Sequence, residues 1–281
     1  RKARRLFQQE AKKTFIGEPY ERAMAYFYRG ILYWRDGEID NARACFRSAQ
    51  FEDSDSESGA YKCDYVLFDY LDGFATAKLA GDGSDAFKRA EQSAKAAKPP
   101  PYNTKVNTLV FLDFGPGPTK YAGGQYGEQL RFRTAASPVQ SVQLRVDGQI
   151  VKVQPADDLN FQATTRGGRV MDYVLANKAV FKCTTSAVGD IAIVSGAILA
   201  NNGGRKSHND EVGAGLMIAG LLSKIASAAT TPEADVRCWE TLPQFIALGQ
   251  FTLAPGEHSL TVSFLNAGGA AETKFTKHIT F

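Results

Sequence analysis

Three side chains that could act together, Asp235, Arg237 and Trp239, are spaced two residues apart. In an extended segment, this spacing places all three side chains on one face. The carboxylate can then accept two parallel hydrogen bonds from the guanidinium, and the indole can stack against that guanidinium. The arrangement could bind a ligand, but we favour a structural staple between the inserted helices and the β-sandwich that are predicted below.

Asp157 and Asp158 are the other carboxylates whose position suggests a role. A carboxylate can be a general acid or base in many folds. An aspartate directly before a helix more often accepts a hydrogen bond from an unpaired backbone N–H of the first turn. We therefore predict that one of the two caps a helix and that neither is catalytic.

The other patterns associated with catalysis or cofactors are incomplete. Ser195 lacks the flanking glycine of a nucleophile elbow, and Gly213-Ala214-Gly215 lacks the third glycine of a dinucleotide-binding loop. No histidine lies near a cysteine or an acid at metal-ligand spacing; the three are His208, His258 and His278. We predict no catalytic residue, no metal site and no cofactor.

The four cysteines are too few for a disulfide framework in a chain of 281 residues, and none forms a CxxC pair. Cys45 could pair with Cys63, and Cys183 could pair with Cys238. Buried free thiols are the interpretation that we favour.

Charge and composition point to no special partner. The chain has 33 basic and 30 acidic residues, and a net charge of +3 over this length does not indicate nucleic acid binding. The basic start at residues 1–5 is short and lacks interleaved aromatics. A content of 44% hydrophobic residues is typical of a globular chain, and the length suggests about two domains.

The first part of the chain has a helical pattern. Small and aromatic residues between positions 21 and 50 occur at the offsets of one tetratricopeptide repeat: Tyr26, Gly30, Tyr33, Gly37, Ala42, Phe46 and Ala49. The pattern predicts a helix from 19 or 21 to 35, a turn at 36–37 and a helix from 39 to about 51. A second, degenerate pair of helices follows, with its turn at 81–83. We predict a tetratricopeptide-like helical domain over 1–98 and a proline-rich linker over 99–104.

From residue 105 the apolar residues alternate with a period of two. Asp147-Gly148 separates two alternating runs and predicts a hairpin. Seven short strands predict an immunoglobulin-like antiparallel β-sandwich over 105–281, interrupted by a helical hairpin at about 157–232. The expected fold class is therefore α+β.

Within this insertion, the segment 188–229 is apolar and rich in small residues. Its uncharged run is shorter than the roughly twenty residues needed to cross a bilayer. We favour a buried helix or a homo-oligomer contact, and insertion into a membrane is the alternative.

Two motifs carry a resemblance. Gly17–Arg22 reads Gly-Glu-Pro-Tyr-Glu-Arg, and residues 234–243 read Ala-Asp-x-Arg-x-Trp-x-Thr-Leu-Pro. With the order of the predicted elements, they resemble a family of uncharacterised bacterial envelope lipoproteins with an N-terminal tetratricopeptide-like region. The low alanine content of 157–182 departs from that family.

The resemblance implies a signal peptide and a lipidated cysteine upstream of Arg1, and hence a periplasmic protein anchored to the outer membrane. It supplies no catalytic residues. Within the first motif, Glu18, Pro19 and Tyr20 have the pattern of a helix start, with proline in the first turn.

These observations favour a non-enzymatic envelope scaffold or accessory protein that binds other envelope proteins. We predict that aromatic side chains of the helical region form the partner surface: Tyr26, Tyr33, Trp34, Tyr61 and Tyr65. The alternatives are a carbohydrate- or ligand-binding envelope protein and an oligomer that inserts the 188–229 hairpin into a membrane.

Overall fold

The computed structural model describes residues 14–54, 64–94, 98–125, 127–165 and 234–280. Contacts between residues divide the chain into two compact units. The larger unit comprises 16–119, 132–167 and 238–281, and the smaller unit comprises 1–15, 120–131 and 168–237.

The described residues form an α+β fold, as the sequence predicts. The helices are α1 (Pro19–Arg35), α2 (Ile39–Asp53), α3 (Val66–Lys78), α4 (Ser84–Ser93) and α5 (Leu159–Thr165). The strands are β1 (Thr108–Pro116), β2 (Thr119–Gly123), β3 (Gln129–Arg133), β4 (Ser141–Val146), β5 (Gln149–Val153), β6 (Asp157–Asp158), β7 (Pro243–Phe251), β8 (Glu257–Leu265) and β9 (Ala271–Thr280).

The first helical hairpin confirms the predicted bounds closely. Pro19 occupies the first turn of α1, where its missing N–H leaves no backbone donor unpaired. Gly30 lies against the ring of Phe46 on α2, and a Cβ at position 30 would come within 2.5 Å of that ring. Only glycine therefore allows α1 and α2 to approach this closely.

The strands form antiparallel sheets. Their orders are β1-β7-β6, β2-β3 and β5-β4-β8-β9. The predicted hairpin between β4 and β5 is confirmed, because Asp147 and Gly148 both have positive φ, at 47° and 81°. Two consecutive left-handed residues match the right-handed twist of the paired strands.

Strand β7 is buried on both faces and separates two hydrophobic clusters in the larger unit. Ile246 and Leu248 join the cluster that contains the buried side chains of α1, α2 and α3. Ala247 and Phe251 join the cluster that contains the buried side chains of β4 and β8. This unit thus has three layers, which are the helices, the sheet that contains β7 and the sheet that contains β4 and β8. The predicted domain boundary at 99–104 falls inside the unit and stays a prediction.

The strand pattern differs from the expectation of seven strands in two places. β2 is not among the predicted strands, because Thr119–Gly123 has no alternating apolar residues. β6 has two residues, too few to give a periodic signal.

The helical insertion expected at about 157–232 is described only at its start, where α5 forms. The rest of it, including the 188–229 hairpin, lies outside the described residues. Among the helices that the structure describes, none is long and apolar enough to cross a membrane.

Candidate functional site

A cleft with a volume of about 430 Å³ lies across three helices of the larger unit. α3 forms its floor, because α3 packs against both α2 and α4. Side chains three, four or seven residues apart on a helix share one face, and the residues of the cleft follow that spacing. α2 contributes Arg43, Arg47 and Gln50, α3 contributes Asp69, Asp72 and Thr76, and the start of α4 with its preceding loop contributes Asp82, Asp85 and Arg89.

Two buried aspartates on the floor are held by arginines from both walls. Nε of Arg89 lies 2.8 Å from Oδ1 of Asp69, and Nε of Arg43 lies 2.9 Å from Oδ1 of Asp72. Nη2 of Arg89 also lies 3.6 Å from Oδ2 of Asp72. The Gln50 side-chain amide donates a further hydrogen bond of 2.5 Å to Asp69. This network ties α2, α3 and α4 together and fixes the floor of the cleft.

The protonation of Asp69 reflects its position. Burial raises the pKa of its carboxyl group, while the hydrogen bond and the charge of Arg89 act in the opposite direction. Desolvation disfavours the ionised form, and a nearby cation favours it. The ionisation of Asp69 on the floor of the cleft therefore depends on Arg89.

Arg47 differs from the two arginines of the network. It lies on α2, four residues after Arg43, and is exposed. Among the residues that the structure describes, no ion pair or hydrogen bond of its side chain is found. Its guanidinium can therefore pair with a carboxylate from outside the chain.

The predicted partner-binding aromatics do not line this cleft. Tyr65 is 1% exposed and its ring stacks on Phe68 at 4.2 Å, so we correct its assignment to a core residue. The indole of Trp34 is partly buried and lies 5.6 Å from the ring of Phe74. Tyr61 lies outside the described residues.

Tyr26 and Tyr33 are also partly buried against the helical core. The hydroxyl of Tyr33 accepts a 2.9 Å hydrogen bond from Arg29, whose guanidinium lies over the same ring at 5.3 Å. These two tyrosines retain some exposed surface on α1, away from the cleft lined by α2, α3 and α4.

The first motif, Gly17–Arg22, forms the start of α1. Glu18 and Glu21 make a capping box, in which the backbone N–H of Glu18 donates a 2.7 Å hydrogen bond to Oε2 of Glu21. Pro19 and Tyr20 are buried, and the Tyr20 ring packs edge-on against Phe132 at 5.9 Å. The motif has a structural role at this helix terminus.

The second motif is divided between the two units. In the smaller unit, Arg237 forms the predicted pair with Asp235, with Nε and Nη2 at 2.8 and 2.5 Å from the two carboxylate oxygens. The Arg237 guanidinium lies over the ring of Phe15 at 5.2 Å, and its stacking on Trp239 stays a prediction. Lys120 lies over the same ring at 5.3 Å and donates to the Arg237 carbonyl.

In the larger unit, Trp239 packs against α1. Its backbone N–H donates a 2.8 Å hydrogen bond to Oε1 of Glu21, and its ring lies 5.8 Å from the ring of Tyr28. The Tyr28 hydroxyl donates to Asp113 on β1 at 2.8 Å, and burial with this carboxylate raises the pKa of Tyr28. Trp239 thus contacts α1, and the predicted staple between the inserted helices and the sandwich stays a prediction.

Asp157 and Asp158 both cap helices, but different ones. Asp158 accepts hydrogen bonds from the backbone N–H groups of Asn160 and Phe161 in α5, which confirms the predicted cap. Asp157 accepts from Val66 and Leu67 at the start of α3, at 2.8 and 2.9 Å. Burial raises the pKa of Asp157 to about 7, although both N–H groups favour its ionised form.

Two cysteines and one histidine can be placed. Cys45 and Cys238 are free thiols, while Cys63 and Cys183 lie outside the described residues. His258 on β8 bonds through Nδ1 to the Asp147 carboxylate of the β4–β5 turn and through Nε2 to the Ala254 carbonyl. Within the part of the chain that the structure describes, no cluster of three potential metal ligands occurs.

The residues of the cleft were missed at the level of sequence. One signal was present, since Asp69 and Asp72 stand three apart within the otherwise apolar run of α3. Buried acids of this kind require partners, but the sequence does not say that Arg43 and Arg89 supply them.

Comparisons with protein-family models, with curated proteins and with solved structures gave no match to this chain. The class that the fold defines is an α+β protein with a polar cleft in its helical layer.

Proposed function

We propose that this protein is a non-enzymatic scaffold or accessory protein of the bacterial envelope that binds a segment of a partner protein in the α2–α3–α4 cleft. The observation that carries this proposal is the cleft itself. Its floor is a fixed network of buried charges, and the side chain of Arg47 on its wall has no ion pair or hydrogen bond to any residue that the structure describes.

The helical layer supports this function. α1 with α2 and α3 with α4 form successive hairpins, and we propose that they are tetratricopeptide-like units. Helical repeats of that kind bind partner helices or extended peptides on a recessed surface. A floor that is already ordered loses little conformational entropy when a partner binds.

The charges of the cleft favour a partner of mixed polarity. Three arginines and four aspartates line it. Arg43 and Arg89 form ion pairs with the aspartates of the floor. We propose that Arg47 pairs with an acidic side chain of the partner. Since such pairs contribute mainly to specificity and association rate, the cleft selects a partner by its charge pattern.

The remaining parts of the proposal rest on the resemblance and on the sheets. The two packed antiparallel sheets are proposed to be an immunoglobulin-like sandwich, with the inserted helices as a contact for a second copy.

The proposed location in the envelope and the proposed upstream lipid anchor rest on the motif resemblance. Fractionation of cells that express the full chain with its natural leader would test the address, and recovery in the cytoplasm would contradict it.

A charge-reversal experiment tests the cleft. Arg47→Glu and the control Arg145→Glu both reverse an exposed arginine, the first on α2 and the second on β4. Each variant and the unmodified protein are cross-linked in envelope extract, and recovered proteins are quantified by mass spectrometry. We expect at least one protein recovered with the unmodified chain and with Arg145→Glu to fall about tenfold with Arg47→Glu. Identical recovery with both variants would overturn the proposal.

A further inference from the structure

A second cavity, with a volume of about 570 Å³, lies elsewhere in the larger unit. It is bounded by α3, by the segment 98–101, by β5 and by the end of β7. Its volume is in the range of roughly 300 to 1,000 Å³ that is usual for small-molecule sites. The three consecutive prolines Pro99, Pro100 and Pro101 line it and limit the conformations of that wall.

One part of the surface of this cavity is apolar. Buried side chains of α3, of β5, of β7 and of the loop before β1 contribute to it: Leu67, Val106, Val153, Leu248 and Phe251. An aliphatic chain placed there would remove apolar surface from water on both sides, which favours its binding.

The wall also contains a polar pair that is formed by the buried Tyr70 and the half-buried Gln250. Tyr70 is 1% exposed, and its hydroxyl accepts a 2.7 Å hydrogen bond from the side-chain amide of Gln250. Tyrosine and glutamine together have three donor hydrogens, and this bond uses one of them. If the Gln250 amide had the opposite orientation, the Tyr70 hydroxyl would donate to the amide oxygen. Both hydrogens of the amide group would then be available to another acceptor. In either orientation, the pair retains donors for an acceptor in the cavity.

The charges around the cavity have one sign. Lys98 and Lys152 line it and are exposed, and among its described lining residues there is no aspartate or glutamate. The two ammonium groups produce a positive potential at the cavity, which favours an anion.

We propose that this cavity binds an aliphatic carboxylate. The alkyl chain lies on the apolar surface, the carboxylate accepts hydrogen bonds from the Tyr70–Gln250 pair, and Lys98 and Lys152 supply the compensating charge. The cavity shares no lining residue with the α2–α3–α4 cleft, so this site is independent of the proposed partner binding.

Isothermal titration calorimetry of the full chain with decanoate, below its micelle concentration, tests this site. Decyltrimethylammonium is the matched probe, since it has the same chain and the opposite charge. We expect saturable binding of one decanoate per chain and binding of the cation that is at least about tenfold weaker.

Two variants separate the headgroup contacts from general hydrophobic binding. Tyr70→Phe keeps the ring and removes the hydroxyl, and we expect a loss of decanoate affinity of about 5- to 20-fold, because a hydrogen bond to a charged group is lost. Lys98→Glu/Lys152→Glu changes only exposed side chains, and we expect it to reverse the preference between the two probes. Lys88→Glu on α4 is the control and leaves binding unchanged.

Thermal unfolding of each variant shows that it is folded under the conditions of the titration. Absence of saturable decanoate binding to the unmodified chain overturns the proposal. Equal binding of both probes overturns it too, as does an affinity unchanged in both Tyr70→Phe and the double lysine variant.

Discussion

The backbone N–H of Trp239 donates a hydrogen bond of 2.8 Å to the side chain of Glu21. Through this bond, the two motifs that stand far apart in the sequence meet at the start of α1. Because the second oxygen of Glu21 accepts from the backbone of Glu18, one buried carboxylate serves both the helix cap and the long-range contact.

The role of Glu21 predicts a loss of stability on substitution. Glu21→Gln replaces one acceptor oxygen by an amide that can only donate, so one of the two backbone N–H groups loses its partner. We expect the free energy of unfolding to fall by about 1 to 3 kcal/mol. Urea denaturation measures it, with the exposed Glu91→Gln on α4 as the control. Equal midpoints for the two variants would contradict the prediction.

Asp157 predicts a pH dependence of stability. Its pKa is raised from 3.8 to about 7 in the folded protein, so between these values the folded chain holds a proton that the unfolded chain releases. The contribution of this group to stability therefore falls as pH rises through that window. Asp157→Asn does not titrate.

We accordingly expect the free energy of unfolding of the unmodified chain, minus that of Asp157→Asn, to decrease between about pH 4 and pH 7. Urea titrations of both proteins across this range measure the difference. If the two stability curves ran parallel, the elevated pKa would be refuted.

The charged floor of the cleft predicts different outcomes for two arginines. Arg89→Gln removes the ion pair of the buried Asp69, and we expect a cost of about 1 to 2 kcal/mol at neutral pH, reduced because Arg89 is half exposed. Arg47→Gln removes no ion pair or hydrogen bond to the part of the chain that the structure describes, and it should leave stability unchanged.

The Arg89→Gln effect should also depend on pH. Arg89 opposes the upward pKa shift of Asp69, so its removal raises that pKa further. We expect Arg89→Gln to be less stable than the unmodified chain at pH values above the pKa of Asp69 in the folded protein. This difference is lost as pH falls through that pKa, because Asp69 is then protonated in both proteins. A difference that persisted at low pH would assign the effect of Arg89 to packing instead of charge.

The contact between Gly30 and Phe46 predicts the outcome of a minimal substitution. Gly30→Ala places a methyl group where the Phe46 ring now lies, so α1 and α2 must move apart. We expect destabilisation of about 1 to 3 kcal/mol, although alanine is the better helix former. Thermal unfolding checks this, with Gly268→Ala in the open β8–β9 turn as the control; a raised Tm for Gly30→Ala would contradict it.

Local signals explain which elements were predictable. Pro19 marks the start of α1 and Asp36-Gly37 marks its end, while Asp147-Gly148 forms the turn between β4 and β5. Each of these signals acts through the backbone conformation of the residues themselves. β2 was not predicted, since Thr119–Gly123 has no apolar alternation and depends on pairing with β3.

The site was less predictable because its contacts are long-range. The Asp235–Arg237 pair follows from spacing alone, but the contact of this guanidinium with Phe15 depends on tertiary packing. Likewise, a cap before α5 could be predicted for Asp158, whereas the bond from Asp157 to α3 spans 91 residues. Sequence spacing carries no information about such partners.

The position of Asp157 also constrains when the chain can fold during synthesis. α3 is made long before the carboxylate that accepts from its first two N–H groups, and the helical core receives Ile246 and Leu248 only when β7 has been made. A nascent chain that ends before β7 therefore lacks two of the apolar side chains of this core. We expect chaperones that bind apolar segments to hold these helices until β7 emerges from the ribosome.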